Sequence, residues 1–284
     1  MRSLHQSCHT ILRQFYSPEV WKIQKSQTLH RLKLIAFWQI PPGARILEIG
    51  CGQGDTLAAL SFTAGANGFV RGVDIAPADY GAPETLGQAK DRLLRRCKAQ
   101  NLAIDLDCDI FETNFETDSF DYILLCHSLW YLPSYETLCK ILKRVRPWGK
   151  QLCIAEWDIR PRTPRQFFHQ QAAWIQAVCA CFSAGEQANI RTLLYPSDIK
   201  NALNVSGWQL SKEKHISSPK LQDDLWEVQN ALELYPFLTE NACQMPDRLR
   251  QLLLSAREEL AHIPKILPLS VYCLCAKRKE TDDA

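Results

Sequence analysis

The sequence predicts an α/β fold, a doubly wound parallel sheet with helices before its first strand and helical insertions late in the chain. Three observations carry that expectation. Residues 45–55, Arg45-Ile46-Leu47-Glu48-Ile49-Gly50-Cys51-Gly52-Gln53-Gly54-Asp55, run from an apolar stretch into glycines at every second position, and a helical segment follows over 56–62. This reads as a buried parallel strand, a loop whose backbone N–H groups can approach a ligand, and a helix. A second apolar run over 68–75 carries Asp74, 20 residues beyond Gly54, about the distance one crossover helix requires. Short apolar runs then alternate with helical periodicity along the chain, the pattern of repeated strand–helix units.

The elements follow in order. Leu4, Cys8, Ile11, Leu12 and Phe15 recur at helical spacing, and Ser17-Pro18-Glu19 offers an N-cap, a proline at the first helical position and an acid in the first turn of a second helix. That helix runs to about Gln39 and stops before Pro41-Pro42-Gly43. After the first two strands, Leu106-Asp107-Cys108-Asp109-Ile110 is a short apolar and acidic segment before a turn. Ser119-Phe120-Asp121-Tyr122-Ile123-Leu124-Leu125-Cys126-His127 is a strand opened by an acid and closed by polar residues. Pro133-Ser134-Tyr135-Glu136 starts a helix that ends before Pro147-Trp148-Gly149, and 151–157 is the fifth strand. Thr163-Pro164-Arg165-Gln166 reads as a capping box opening a helix of about 20 residues to Ser183. Tyr195-Pro196-Ser197-Asp198 starts a shorter helix ending near Gly207, and strands over 208–215 and 270–276 close the chain.

The glycine loop constrains the ligand. In the dinucleotide fingerprint the third glycine falls at position 55, where Asp55 stands, so a pyrophosphate would meet a carboxylate at the helix mouth. Glu48, two residues before the first glycine, suits a ligand with a positive end such as an amino-acid ammonium, and that ligand class points to S-adenosylmethionine. Asp74 is placed to accept both hydroxyls of a ribose, and Asp109 to take the amino group of an adenine. Together with the Phe120-Asp121 strand, these features resemble the class I S-adenosylmethionine-dependent methyltransferases of the small-molecule type. The resemblance covers the core from about Ala44 to Trp157 and resumes at the two closing strands.

The resemblance implies a seven-stranded sheet in the order 3-2-1-4-5-7-6 with the seventh strand antiparallel. It implies a helical lid over 1–40, from which Tyr16, Gln27 or Arg31 would reach the cofactor, before an α/β domain over 41–284. By position, Glu48, Gly50, Gly52 and Gly54 would hold the methionine end of the cofactor, Asp74 with Ile75 the ribose, and Asp109 with Ile110 the adenine. One departure is plain: 54 residues separate His215 from Ser270, where the family has a near-hairpin, and a further insertion of about 45 residues follows Asp158. Insertions at about 159–203 and 216–269 stand on the acceptor side of the sheet. Their aromatics, Phe167, Phe168, Trp174, Tyr195, Trp226, Tyr235 and Phe237, would form their own small core or roof a closed apolar acceptor site.

Methyl transfer from a sulfonium is an in-line displacement that rests on positioning, and a base is needed only for an acceptor that must lose a proton. His127, just after the fourth strand, is the leading base candidate, and Glu156 and Asp158 after the fifth are the second. The expected reaction is methylation of a small, largely apolar acceptor, with secondary metabolism as one setting. The alternative is a cofactor-binding protein of the same fold that catalyses a cyclisation. The Cys126-His127-Ser128-Leu129 segment lacks the acid or asparagine followed by two prolines and an aromatic that marks enzymes methylating nucleic-acid bases. A net charge of +2, from 33 basic and 31 acidic side chains, also gives no field to recruit a polyanion. Twelve cysteines without one Cys-x-x-Cys argue for reduced, buried thiols, and neither a metal nor a membrane span is expected. With no apolar signal stretch near Met1, the expected location is the cytoplasm. The identity of the acceptor and the oligomeric state are not readable.

Overall fold

The computed structural model describes residues 3–183, 189–240, 245–262 and 265–279. Parts of both expected insertions, residues 184–188, 241–244 and 263–264, lie outside the described residues. Seven strands form one sheet in the order β3-β2-β1-β4-β5-β7-β6. They are β1 (Arg45–Ile49), β2 (Phe69–Val73), β3 (Leu102–Asp105), β4 (Phe120–Cys126), β5 (Gly149–Trp157), β6 (Trp208–Ile216) and β7 (Val271–Arg278). The first five pair in parallel, and β7 runs antiparallel to both β5 and β6, as the family pattern implies.

Alternation along β1 assigns the two layers, because successive side chains of a strand face opposite sides. Ile46 packs with α1 (Leu4–Phe15), α2 (Trp21–Trp38), α3 (Asp55–Ala64) and α4 (Leu86–Arg96). Leu47 and Ile49 pack with α5 (Tyr135–Val145) and α7 (Pro196–Val205). Glu48 therefore lies on the side of Ile46, facing the N-terminal helices. The strands can carry Val, Ile and Leu almost continuously because helices cover both faces. Trp38 anchors α2 to the sheet: its ring is 1% exposed and its Nε1–H donates to the Leu274 carbonyl at 3.1 Å.

A third apolar cluster belongs to the late helices alone. Ala172, Ile175 and Cys179 of α6 (Phe167–Ala180) meet Val228 and Ala231 of α8 (Asp223–Glu233), Leu238 of α9 (Tyr235–Glu240) and Leu253 and Leu260 of α10 (Asp247–Ala261). Phe168 and Phe237 pack against this core, whereas Phe167, Trp174, Trp226 and Tyr235 remain exposed.

Two local expectations are corrected. The Ser17 side chain makes no capping hydrogen bond, and α2 is entered through a 3-10 turn over Pro18–Val20. At Thr163 the capping box does not form either, and Pro164–Gln166 is again a 3-10 turn. Gln166 Oε1 accepts from Arg162 N at 2.8 Å, and its Nε2 donates to the Pro268 carbonyl at 2.8 Å, so one near neighbour and one partner distant in sequence take the side chain that the box would have used. α6 ends at Ala180 instead of Ser183, closed by amide bonds from Cys181 to the carbonyls of Cys179 and Val178.

Candidate cofactor and acceptor site

The glycine loop follows β1 at the C-terminal edge of the sheet, where open α/β sheets bind ligands. Gly50, Gly52 and Gly54 all have positive φ, at 71°, 51° and 78°. Their surroundings differ. A Cβ at Gly50 would stand 2.7 Å from Ser128 Cβ and one at Gly54 2.4 Å from Leu93 Cδ1, whereas one at Gly52 would meet nothing within 4 Å. Protein atoms fill the space beside the outer two, and Gly52 borders open space. Asp74 Oδ2 accepts from Gly52 N at 2.7 Å and its Oδ1 from Ala76 N at 3.0 Å, so the second strand's acid stands directly against this loop.

The loop after β3 is tied to the same place. Cys108 N donates to the Asp74 carbonyl at 2.9 Å, and Asp109 Oδ1 accepts from Phe111 N at 2.8 Å in a tight turn. Ile75 is 69% exposed beside Asp74, a free apolar surface next to the acid. Ile110 is not brought to the open space: it packs in the core with Ile49 and Val73.

Beneath the loop lie a buried carboxyl and a buried guanidinium. Glu48 is 1% exposed, and its Oε2 has no hydrogen-bond partner among the described residues. Burial pushes its carboxyl up to about 8, a shift that contact with Thr56 and the charge of Arg31 only partly offset. Arg31, reaching in from α2, is buried with Nε and Nη1 unpartnered among the described residues. Burial disfavours its guanidinium, but Cys126 and the carboxylates of Asp55, Asp223 and Glu48 carry its pKa above the ordinary value. Buried charged groups are normally paired. A free carboxyl and a free guanidinium in one pocket match the ammonium and carboxylate of an amino acid, so the residues present fit the methionine end of S-adenosylmethionine. Tyr16 and Gln27 are otherwise engaged. Tyr16 Oη donates to Asp55 Oδ1 at 2.7 Å, and Gln27 Nε2 donates to Asp223 Oδ2 at 2.9 Å, fastening α2 to α8.

His127 occupies the first position after β4 with φ 55°, its backbone N–H donating to the Ala155 carbonyl at 2.8 Å. Glu156 is buried and accepts backbone N–H groups at both oxygens, Leu129 N at 2.8 Å and Trp157 N at 2.9 Å, so it holds the two post-strand loops together. Its Oε1 stands 3.6 Å from His127 Nδ1. Asp158 is committed elsewhere, to Arg160 at 2.8 Å and His215 Nε2 at 2.8 Å. The ring of Trp157 lies 4.9 Å from that of His127 and 5.2 Å from that of His169, and Trp130 lies 6.0 Å from His169. His169 Nδ1 accepts from Leu269 N at 3.0 Å, so its proton is on Nε2, and burial holds its pKa down to about 3. Neither this Nε2 nor Trp130 Nε1 has a partner among the described residues.

Sequence reasoning missed His30 and His169. His30 is fully buried on α2, with its Nε2 at 2.9 Å from His127 Nε2 and its Nδ1 at 2.9 Å from Ser218 Oγ. Its partners lie far away along the chain. The one local signal is that Gln27, His30, Arg31 and Leu34, at helical spacing, put polar groups on the face that α2 buries.

A family model described as a methyltransferase domain matches residues 47–151. In sequence the chain is 28% identical over 212 residues to the methyltransferase phomM of Diaporthe leptostromiformis, covering 61% of this chain and 55% of that protein. It is 34% identical over 150 residues to the 2-phytyl-1,4-naphtoquinone methyltransferase of Synechococcus elongatus, covering 51% of this chain and 60% of that protein. The chain thus spans about half the length of the curated relatives it matches. Among solved structures it is similar to a cyclopropane-fatty-acyl-phospholipid synthase-like protein of Lactobacillus casei, at 31% identity and a TM-score of 0.85, over 96% of this chain and 99% of that one.

Proposed function

Because the chain belongs to the class I S-adenosylmethionine-dependent methyltransferases, we propose that it transfers the cofactor's methyl group to a small, largely apolar organic acceptor. The observation that carries this reading is the pair of buried groups, the Glu48 carboxyl and the Arg31 guanidinium, with atoms unpartnered among the described residues, beside the open space at Gly52. Glu48 would take the ammonium and Arg31 the carboxylate of the methionine end. Asp74 would take the ribose hydroxyls, Asp109 the adenine amino group, and Ile75 the adenosine's apolar face. When bound, S-adenosylmethionine supplies an electrophilic methyl carbon on a sulfonium. The chain's part is then to hold an acceptor in line with that carbon and to exclude water. Trp130, Trp157 and His169 give the acceptor side an aromatic lining, which together with the naphthoquinone methyltransferase among the relatives supports a ring-bearing apolar acceptor.

Incubation with methyl-labelled cofactor and a panel of naphthoquinols, phenols and fatty acids tests this reading. Label should appear in an apolar product. An acceptor that is consumed and rearranged without gaining label would establish the cyclisation alternative instead.

Asp74→Ala should weaken binding of S-adenosylmethionine at least tenfold, since a charge-assisted hydrogen bond to each ribose hydroxyl is worth about 1.5–3 kcal/mol. Binding of 5′-methylthioadenosine, which has the ribose but no amino acid, should fall equally. An unchanged dissociation constant in the folded variant would remove Asp74 from the site.

Glu48 gives the binding a pH dependence. In the free protein its carboxyl keeps its proton up to about pH 8, and an ammonium beside it favours the carboxylate. Cofactor binding near neutral pH therefore releases a proton from Glu48, and affinity climbs with pH by up to about tenfold per unit before levelling near the free-state pKa. Calorimetry in buffers of different ionisation enthalpy reads the released proton directly. Glu48→Gln should abolish the release.

A further inference from the structure

The contact between His30 and His127 fixes which nitrogens carry protons. A neutral imidazole has one donor and one acceptor nitrogen, so a single proton sits between the two Nε2 atoms 2.9 Å apart. Which ring supplies it is decided at the ends of the chain. At one end Lys33 Nζ, 3.4 Å from Ser218 Oγ, can only donate. At the other, Glu156 Oε1 lies 3.6 Å from His127 Nδ1 and can only accept. A lone pair on Nδ1 would face the lone pairs of that oxygen, whereas a proton there faces its negative charge. The Glu156 end sets the direction: a proton on His127 Nδ1 leaves its Nε2 to accept from His30 Nε2–H, and His30 Nδ1 then accepts from Ser218 Oγ, whose oxygen still accepts from Lys33.

The surrounding charges agree with a neutral His30. Burial, with the charges of Arg31, His127 and Lys33, holds the His30 pKa well below its ordinary value. On the remaining sides, His169 of α6 is itself neutral at pH 7, Asp223 of α8 is occupied by Gln27, and Glu156 of β5 supplies the one carboxylate within 4 Å of His127 among the described residues. The His127 side chain is 10% exposed, yet its Nδ1 has no hydrogen-bond partner among the described residues, the state of a donor whose acceptor belongs to a ligand.

We propose that Glu156, Ser218 and His30 lock His127 as an Nδ1–H donor, so that it can hold an oxygen of the methyl acceptor but cannot serve as its base. The acceptor would then present a carbonyl, a carboxylate or an already ionised hydroxyl at that nitrogen. His30 is a positioning residue in this scheme, acting through His127. The ligand part rests on the methyl-transfer reading, whereas the protonation pattern stands without it.

Nitrogen-15 spectra of the uniformly labelled free protein at pH 7 test the pattern, with the two rings assigned through His127→Asn and His30→Gln. His127 should carry its proton on Nδ1 and His30 on Nε2, each by about tenfold or more over the other tautomer, the preference one net hydrogen bond sets. In His30→Leu, His127 should populate both tautomers, and His30→Gln, which keeps an N–H in place of Nε2–H, should restore the wild-type pattern. A bare Nδ1 on His127 overturns the proposal and returns it to the role of base. So does an unchanged His127 pattern in His30→Leu, because His30 would then set nothing. No acceptor enters these spectra, so failure of the methyl-transfer reading would leave them as expected and show only in the label-transfer assay.

Discussion

Gly52→Val is expected to fold and to bind no measurable S-adenosylmethionine, a loss of more than about 100-fold in affinity. The two effects are separable because a Cβ at this position meets no protein atom within 4 Å. The space that a valine side chain would occupy is the space that the proposed site gives to the methionine end of the cofactor. The backbone adds to this, since φ 51° at Gly52 is a conformation that β-branched residues resist, at a cost of about 1–2 kcal/mol. That is a fraction of the about 5–15 kcal/mol by which a folded domain is stable. Circular dichroism should therefore show the native spectrum with a lowered Tm, while calorimetry shows no binding heat. Gly52→Ala, with one methyl in the same void, should fall between. Wild-type affinity in the valine variant would place the cofactor somewhere other than this loop.

The fold was legible because its signals are local. Glycine spacing at 50–54, the apolar runs of β1, β2 and β4, and the Asp74 offset each fit inside one strand–loop–helix unit, and the observed strand order follows from the family they resemble. Of the two helix starts that went astray, Ser17 and Thr163, the second shows a tertiary partner that outcompeted the local cap. Gln166 shows this directly, its side chain bridging Arg162 and Pro268 instead of Thr163.

The site was legible only in part, for the same reason inverted. Asp74 could be found by counting from the glycines, and it does lie against Gly52. Ile110 stands next to Asp109, but the turn after β3 packs it into the core with Ile49 and Val73. His30 could not be counted from anything. Its contacts to His127 and Ser218 join residues 97 and 188 positions away, and only the assembled sheet brings α2, β4 and the end of β6 together. His127 was singled out by topology, whereas its neighbours His30 and Glu156 come from elements that the position after β4 does not name.

Arg31→Met is the sharpest test of the cofactor end of the site. Arg31 is buried with Nε and Nη1 unpartnered among the described residues, and its Nη1–Nη2 edge can meet a carboxylate with two parallel charge-assisted bonds. Methionine keeps the length and the apolar stem but not the donors. Two such bonds at about 1.5–3 kcal/mol each correspond to a loss of at least about 100-fold in affinity for S-adenosylmethionine. The loss should be selective: 5′-methylthioadenosine has no carboxylate, so its dissociation constant should change little. Arg31→Lys should recover only part of the affinity, because an ammonium cannot reproduce the fork. An equal loss for both ligands would mean that Arg31 supports the pocket's shape through the charges of Glu48, Asp55 and Asp223 that surround it, and that the amino-acid carboxylate is held elsewhere.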